Sequence, residues 1–454
     1  MSNSVRDMTT GRPWRHIVAF ALPLMLGNLF QQFYTMTDAA IVGRFAGVQA
    51  LAAIGAVDWL SWLLFGIVTG FTQGFSILVA QCFGAQDERA LRKAVCVSVE
   101  LSAALTLFFT GFSVLAARWM LRLMDTPADV FGMSLTYLMI LYCGMPVAMA
   151  YNLSAAILRA LGNSRAPLMA MVLASVTNIG LDLLFVMGFH WSVAGAAAAT
   201  VISEGVASAV CLLALRRVSV LRMDREDWRF EAPVARELMR LSAPMALQNG
   251  IIALGGVVVQ RVVNGFGFVF VAGFTATNKL YGLLEVVATS FGYSMATFSG
   301  QNLGAGRLDR IRLGTRTALL ISLGTALAVS ALMFLGGRGI LGLFISAEEA
   351  AAGDVLDVAV KYLYRMATAL FVLYFLYVYR SALQGMGDTV TPMLSGLVEM
   401  LKRMSAALIL PRLLGRDGIY FAEVAAWFGA TLLLGAGYYV RIARLERARG
   451  RTAA

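Results

Sequence analysis

The chain has 454 residues, of which 59% are hydrophobic and only 14% charged, with a mean hydropathy of +0.74. A soluble domain carries roughly 25% charged residues, so this composition excludes a soluble globular protein and describes an integral membrane protein. The net charge of +11 invites a nucleic-acid reading, but the basic residues sit in short loops between apolar runs, which is a topology signal.

Cys82, Cys96, Cys143 and Cys211 are scattered among apolar residues without CxxC spacing, so neither a disulfide framework nor a metal site is indicated. His16 and His190 are too few and too far apart for metal or triad chemistry. The apolar stretch after Arg15 is too long for a signal-peptide core and lacks a small-residue cleavage site. There is no GxxxxGK[ST] phosphate loop, no HExxH and no soluble domain for nucleotide hydrolysis, so an enzyme is not expected.

In chain order, apolar runs predict spans at 15–43, 51–79, 94–117, 130–158, 166–189 and 192–215, then 242–264, 269–298, 316–336, 362–384, 392–411 and 418–440. That is an all-α membrane protein of twelve helices. Residues 1–215 form a first six-helix lobe, 216–241 a basic linker, 242–440 a second lobe and 441–454 a basic tail. Alternate loops carry 24 arginines and lysines against seven on the opposite side, which places both termini and the linker in the cytoplasm.

The halves repeat. ALPLMLGN (21–28) aligns with SAPMALQN (242–249), AQCFGAQDERALRKA (80–94) with GQNLGAGRLDRIRLG (300–314), and LRALGNSRAPLM (158–169) with LQGMGDTVTPML (383–394). Six helices per copy is even, so the copies share one orientation and are related by an axis along the membrane normal. Transporters of that build place sites between the halves, around a central cavity, and rock one half against the other. The alternative is a purely structural duplication.

Asp38 lies in the first span, with Tyr34 one turn before it on the same face. A carboxylate in hydrocarbon is costly unless it faces a water-filled cavity or takes up a proton, so it marks an ion or substrate path, the alternative being an interfacial acid near Arg44. Asn178 and Asp182 likewise share a helix face. Two carboxylates brought together resist joint ionisation, and burial resists it further. The bland reading of Asp182 is a hydrogen-bonded structural acid, and Tyr34 either bonds a carboxylate or packs. Asp58, in AVDWLSW (56–62) beside Trp59 and Trp62, fits either a cationic-drug surface or a tryptophan belt.

In the second half, Arg261, Lys279, Glu285, Arg365, Arg380, Glu399, Lys402 and Arg403 fall in or near spans. Glu399 and Arg403 are spaced to pair, and Lys279 aligns with Asp58, inverting the sign of that position. Buried pairs that lock the lobe are one reading; a basic wall for an anionic or zwitterionic substrate is the other.

The first-helix stretch YTMTDAAIVGRFAG with ALAAIGA (50–56), the GAQD and RALGNSRAPLM motifs and NIGLDLLF (178–185) resemble the multidrug and toxin extrusion (MATE) family, in particular its DinF-like bacterial branch. The resemblance covers residues from about 13 to about 440. It implies a plasma (bacterial inner) membrane antiporter of two lobes that exports amphiphilic, often cationic compounds in exchange for protons or sodium ions. Asp38, Asn178 and Asp182 match the family's first-lobe cluster, where the coupling cation acts and where a sodium ion would be held. Another branch binds sodium through acids on helices 7 and 10; here Ile252 stands near the first position and YLYRMATALFVLYFLYVYRSALQ (362–384) has no acid, so that site is not expected. Gln31, Asp58, Asn249, Arg261, Lys279 and Arg403 are the candidates for the substrate cavity. No cofactor beyond the coupling ion is expected. Small amphiphiles and membrane lipid are the expected partners, nucleic acid is not, and a monomer is the simplest state. A lipid-linked oligosaccharide flippase of the wider superfamily is the alternative function.

Overall fold

A computed structural model describes residues 5–343 and 352–453; residues 1–4 of the expected first lobe and 454 of the tail lie outside the described residues. Among the described residues there are fifteen α-helices and no strand. They are α1 (Pro13–Ile41), α2 (Val48–Gly55), α3 (Asp58–Gly84), α4 (Glu88–Leu123), α5 (Ala128–Cys143), α6 (Met145–Ala160), α7 (Arg165–Asp182) and α8 (Ser192–Arg216). The second half holds α9 (Ala232–Asn264), α10 (Phe268–Gly304), α11 (Leu308–Gly342), α12 (Ala352–Thr368), α13 (Leu370–Gly385), α14 (Val390–Leu414) and α15 (Ala422–Ala453).

Eight stretches are long and apolar enough to cross a membrane, and the pairs α5–α6 and α12–α13 each pass as one bent span. One of the eight, Val390–Arg449, runs for 60 residues. At 1.5 Å per residue that is about 90 Å, or three hydrocarbon cores, and the 3₁₀ turn Gly415–Phe421 divides it into α14 and α15. With α10, whose 37 residues exceed a span although Lys279 and Glu285 dilute its apolar run, the count is twelve.

The fourth and tenth spans, expected to be continuous, are broken. They bend by 48° at Gly144 and by 52° at Ala369. Pro146 in the first turn of α6 cannot donate to the ladder, which accounts for the first break. The second copy repeats the bend without a proline. The linker also differs from expectation, since α9 begins at Ala232 and two 3₁₀ turns, Ser219–Leu221 and Arg225–Trp228, occupy the rest. Lys93 Nζ on α4 donates to the carbonyls of Glu226 (3.2 Å) and Arg229 (2.7 Å) and pairs with Glu231 at 3.1 Å, fastening the linker to α4.

The sequence repeat reappears as a repeat of backbone. Gly47 and Gly267 have φ of 92° and 90°, Gln86 and Gly306 58° and 67°, and Gly162 and Gly387 80° and 74°. After the last pair, Asn163 Oδ1 caps α7 by accepting from Ala166 N at 3.0 Å, and Asp388 Oδ1 caps α14 by accepting from Thr391 N at 3.0 Å. The same turn chemistry therefore starts the fifth helix of each copy.

The chain divides into two compact units. One comprises Leu22–Ala246 together with residues up to Asp7; the other comprises Met8–Ala21 together with Leu247 onward. Thus α1 starts in the second unit and continues in the first, and α9 does the converse. Each change of unit lies beside a proline inside the helix, Pro23 or Pro244. In the second unit, Arg310 donates to the carbonyls of Met8 (3.0 Å), Thr10 (3.0 Å) and Gly11 (2.9 Å), and Ser294 Oγ donates to Ile17 O at 3.1 Å. In the first unit, α3 meets the start of α9 through glycines: a Cβ on Gly70 would stand 2.5 Å from Ala246 Cα, and one on Gly74 would overlap Ser242.

Gly74→Leu therefore forces backbone apart and is expected to cost about 1–3 kcal/mol, read as a lower melting temperature in detergent. Gly111→Ala, where nothing lies within 4 Å, is expected to leave it unchanged.

Candidate functional site

The first unit gathers acids from three helices. The carboxyl groups of Asp38 (α1) and Asp182 (last residue of α7) lie within hydrogen-bond reach of each other, and Asp58 (first turn of α3) is within electrostatic range of Asp38. Asn178, one turn before Asp182, is fully buried, as is Asp182; Asp38 is half-buried and Asp58 exposed. Beyond Asp182 the helix widens into a π-type turn over Leu183–Gly188.

Among the described residues, no hydrogen-bond donor reaches either carboxylate oxygen of Asp182, Oδ1 of Asp38 or the Asn178 amide oxygen, and no acceptor reaches the Asn178 amide nitrogen. Ionised carboxylates only accept hydrogen bonds, so two facing carboxylates repel unless a proton or a cation joins them. Buried polar groups of this kind are paired in the great majority of proteins. A shared proton fits the Asp38–Asp182 pair. The two carboxylates and the Asn178 amide oxygen are all hard oxygen donors. Among the described residues, no group of three or more His, Cys, Asp or Glu is arranged to hold a metal.

Tyr34 is half-buried, hydrogen-bonded by the Gln31 side chain, and within electrostatic range of Asp38 and of Glu204 on α8. Tyr137 on α5 is buried and within electrostatic range of Asp38, Asp58, Tyr34 and Asp182. Glu204 and Tyr137 were not anticipated. Tyr137 carries no distinguishing sequence signal, whereas Glu204 is a lone acid in an apolar span and is found by the same rule that marks Asp38. Trp59 and Trp62 are exposed and meet edge to face at 6.2 Å, so the Asp58 turn has both the belt character and the electrostatic link to Asp38.

The second unit is organised differently. Arg380 Nη2 meets Glu399 Oε2 at 2.6 Å, and Arg403 Nη2 bridges Glu399 Oε1 (3.2 Å) and Glu423 Oε2 (2.9 Å). Tyr377 donates to Glu285 Oε1 at 2.6 Å while the Arg380 guanidinium lies 5.6 Å from its ring centroid. Arg403 is 7% exposed and shared between two carboxylates, the buried-pair arrangement rather than an open basic wall. The expected Glu399–Arg403 pair is present as part of a larger net. Lys279 and Arg261 are exposed and Asn249 half-buried, all in this second unit; Gln31 is exposed on α1.

A repeated six-helix unit in an apolar bundle, with carboxylates left unneutralised on one side of the repeat, defines a multi-pass membrane transporter. The family model MatE matches residues 23–184 and 244–409, one match per repeat. The chain is 28% identical over 351 residues to the probable multidrug resistance protein YpnP of Bacillus subtilis, covering 76% of this chain and 78% of that one. It is 26% identical to DNA damage-inducible protein F of Escherichia coli over 72% of each. A solved outward-facing multidrug resistance MATE family transporter shares the fold with a TM-score of 0.92 at 22% identity, over 98% of this chain and 99% of that one. The chain belongs to the MatE family of multidrug efflux transporters, as the motifs around Asp38, Asp87, Gly162 and Asp182 led us to expect, and it is not an enzyme.

Removing Glu399 leaves two buried guanidinium groups short of a partner. Glu399→Leu is expected to destabilise the protein by about 3–5 kcal/mol, measured as loss of melting temperature, while Lys279→Met, at an exposed position, is expected to stay within about 0.5 kcal/mol.

Proposed function

We propose that the protein is an ion-coupled exporter of amphiphilic compounds whose coupling ion is carried by Asp38, Asp182 and Asn178. The observation that carries this reading is the facing pair of carboxyl groups with no protein donor, beside a fully buried amide with neither atom satisfied. Such a set is completed by a proton or a small cation, and the facing carboxylates favour the proton. Binding of the ion removes the repulsion between α1 and α7, and that change in differential stability is what shifts the transporter between its inward- and outward-open states. Substrate and ion would then exclude one another, which is the requirement for exchange. The asymmetry of loop charge supports both termini in the cytoplasm, and the bacterial relatives support a bacterial inner membrane.

The flippase alternative needs Arg261, Lys279 and Arg403 to act as one basic surface. Arg403 is already neutralised by Glu399 and Glu423, which weighs against it.

In proteoliposomes under an imposed pH or sodium gradient, wild type is expected to export ethidium-like compounds along one gradient. Asp38→Asn and Asp182→Asn are each expected to lose at least about tenfold of the driven rate, an effect of 1.4 kcal/mol or more. Wild-type rates in Asp38→Asn would sink the mechanism.

A further inference from the structure

We propose that the arginine-rich surface where the end of α15 meets the start of α11 binds the phosphate headgroup of an anionic phospholipid. The proposal concerns the second unit alone and holds whichever ion drives transport.

Two segments far apart in sequence make this surface. Residues 307–316 open α11 and residues 441–449 lie near the end of α15. Together they carry eight arginines against two acids, Asp309 and Glu446. Arg312 Nη2 meets Glu446 Oε2 at 2.9 Å and Arg449 Nη1 donates to Gly306 O at 2.8 Å, which fastens one segment to the other. The second acid, Asp309, lies 3.6 Å from Arg307. Arg310 and Arg441 donate to backbone carbonyls, the latter to Met386 O at 2.9 Å. Arg316, Arg444 and Arg447 are exposed, and Arg316 follows Arg312 by one turn on the same face of α11. Both acids of the two segments are thus engaged while positive charge is concentrated in one place. Like charges held together are costly unless an anion joins them.

The first copy meets the same demand within the chain. At the aligned start of α4, Arg92 pairs with Asp227 at 3.3 Å and Lys93 with Glu231 at 3.1 Å, and the linker supplies both acids. In the second copy the aligned turn is overlaid with more arginine instead. What borders the arginines indicates the source of the anion. The apolar run of α15 ends at Val440, and Tyr439 and Val440 on α15 are exposed, as are Leu313 and Leu320 on α11. Tyr439 meets Tyr438 edge to face at 5.3 Å, and aromatic rings at the end of a span mark the boundary of hydrocarbon and headgroups. A ligand that covers both parts of this surface carries a phosphate and an acyl chain. Guanidinium groups take phosphate oxygens as paired, charge-assisted hydrogen bonds, and basic clusters directly beyond a span attract anionic lipid. Free phosphate would use the charged part alone.

The test measures phosphatidylglycerol bound to the full-length protein in neutral detergent by native mass spectrometry, with melting temperature read in parallel. Phosphatidylcholine and glycerol 3-phosphate are the comparison ligands. Three triple variants are compared with wild type: Arg316→Gln with Arg444→Gln and Arg447→Gln, the same three positions changed to Lys, and Arg89→Gln with Arg216→Gln and Arg217→Gln, which removes equal charge from exposed positions of the first unit. Wild type is expected to bind phosphatidylglycerol in preference to phosphatidylcholine and to be stabilised by it. The first variant is expected to lose at least about tenfold in affinity for phosphatidylglycerol while keeping its lipid-free melting temperature, and the other two to stay within about threefold. Wild-type affinity in the first variant would overturn the proposal, as would an equal loss in the first-unit variant. Stabilisation by glycerol 3-phosphate as strong as that by the lipid would show a free-anion site and overturn it too.

Discussion

The organising constraint is the cost of keeping a carboxylate inside an apolar bundle. Ionised and unpaired, such a group is unstable by several kcal/mol or more, so each buried acid must find a cation, share a proton or reach a polar space. The two halves of this chain meet that demand in opposite ways. The second unit answers it internally, with Glu399 and Glu423 both bound to arginine and Glu285 bound to Tyr377. The first unit leaves it unanswered by protein groups at Asp38 and Asp182. A duplicated scaffold thus has one half held by its own charges and one half whose buried carboxylate oxygens meet no hydrogen-bond partner among the described residues.

Helix α1 starts in the second unit and carries Asp38 and Tyr34 in the part that belongs to the first. Its start is fixed by the Arg310 guanidinium on three backbone carbonyls. Pro23 removes one backbone donor close to the change of unit, which lowers the cost of bending there.

Much of this was legible in the residues alone. Apolar run lengths, alternating loop charge and the aligned motifs specify twelve helices and two copies, and the turn residues Gly162 and Gly387 keep their backbone roles in both. The pairing of Asp38 with Asp182 follows less from spacing than from family resemblance, because the two are 144 positions apart and only tertiary packing brings them together. The bend at Ala369 has no proline to announce it. The exchange of helix starts has no local signal either, since it depends on which unit a continuous helix packs against. The spacing of Glu399 and Arg403 announces their pair, but the second carboxylate on Arg403, Glu423 from α15, has no local signal and is brought there by tertiary packing. Glu204 is a different kind of miss, an acid in an alanine-rich span that intramembrane cost alone singles out.

The central claim is that the Asp38–Asp182 pair itself binds the coupling ion. Charge displacement recorded on a solid-supported membrane after a pH step and after a sodium step, without substrate, addresses it most directly. The account predicts a transient current in wild type on at least one of the two steps that is absent in Asp182→Asn. An undiminished current in a folded Asp182→Asn would show that the ion binds elsewhere and would contradict it.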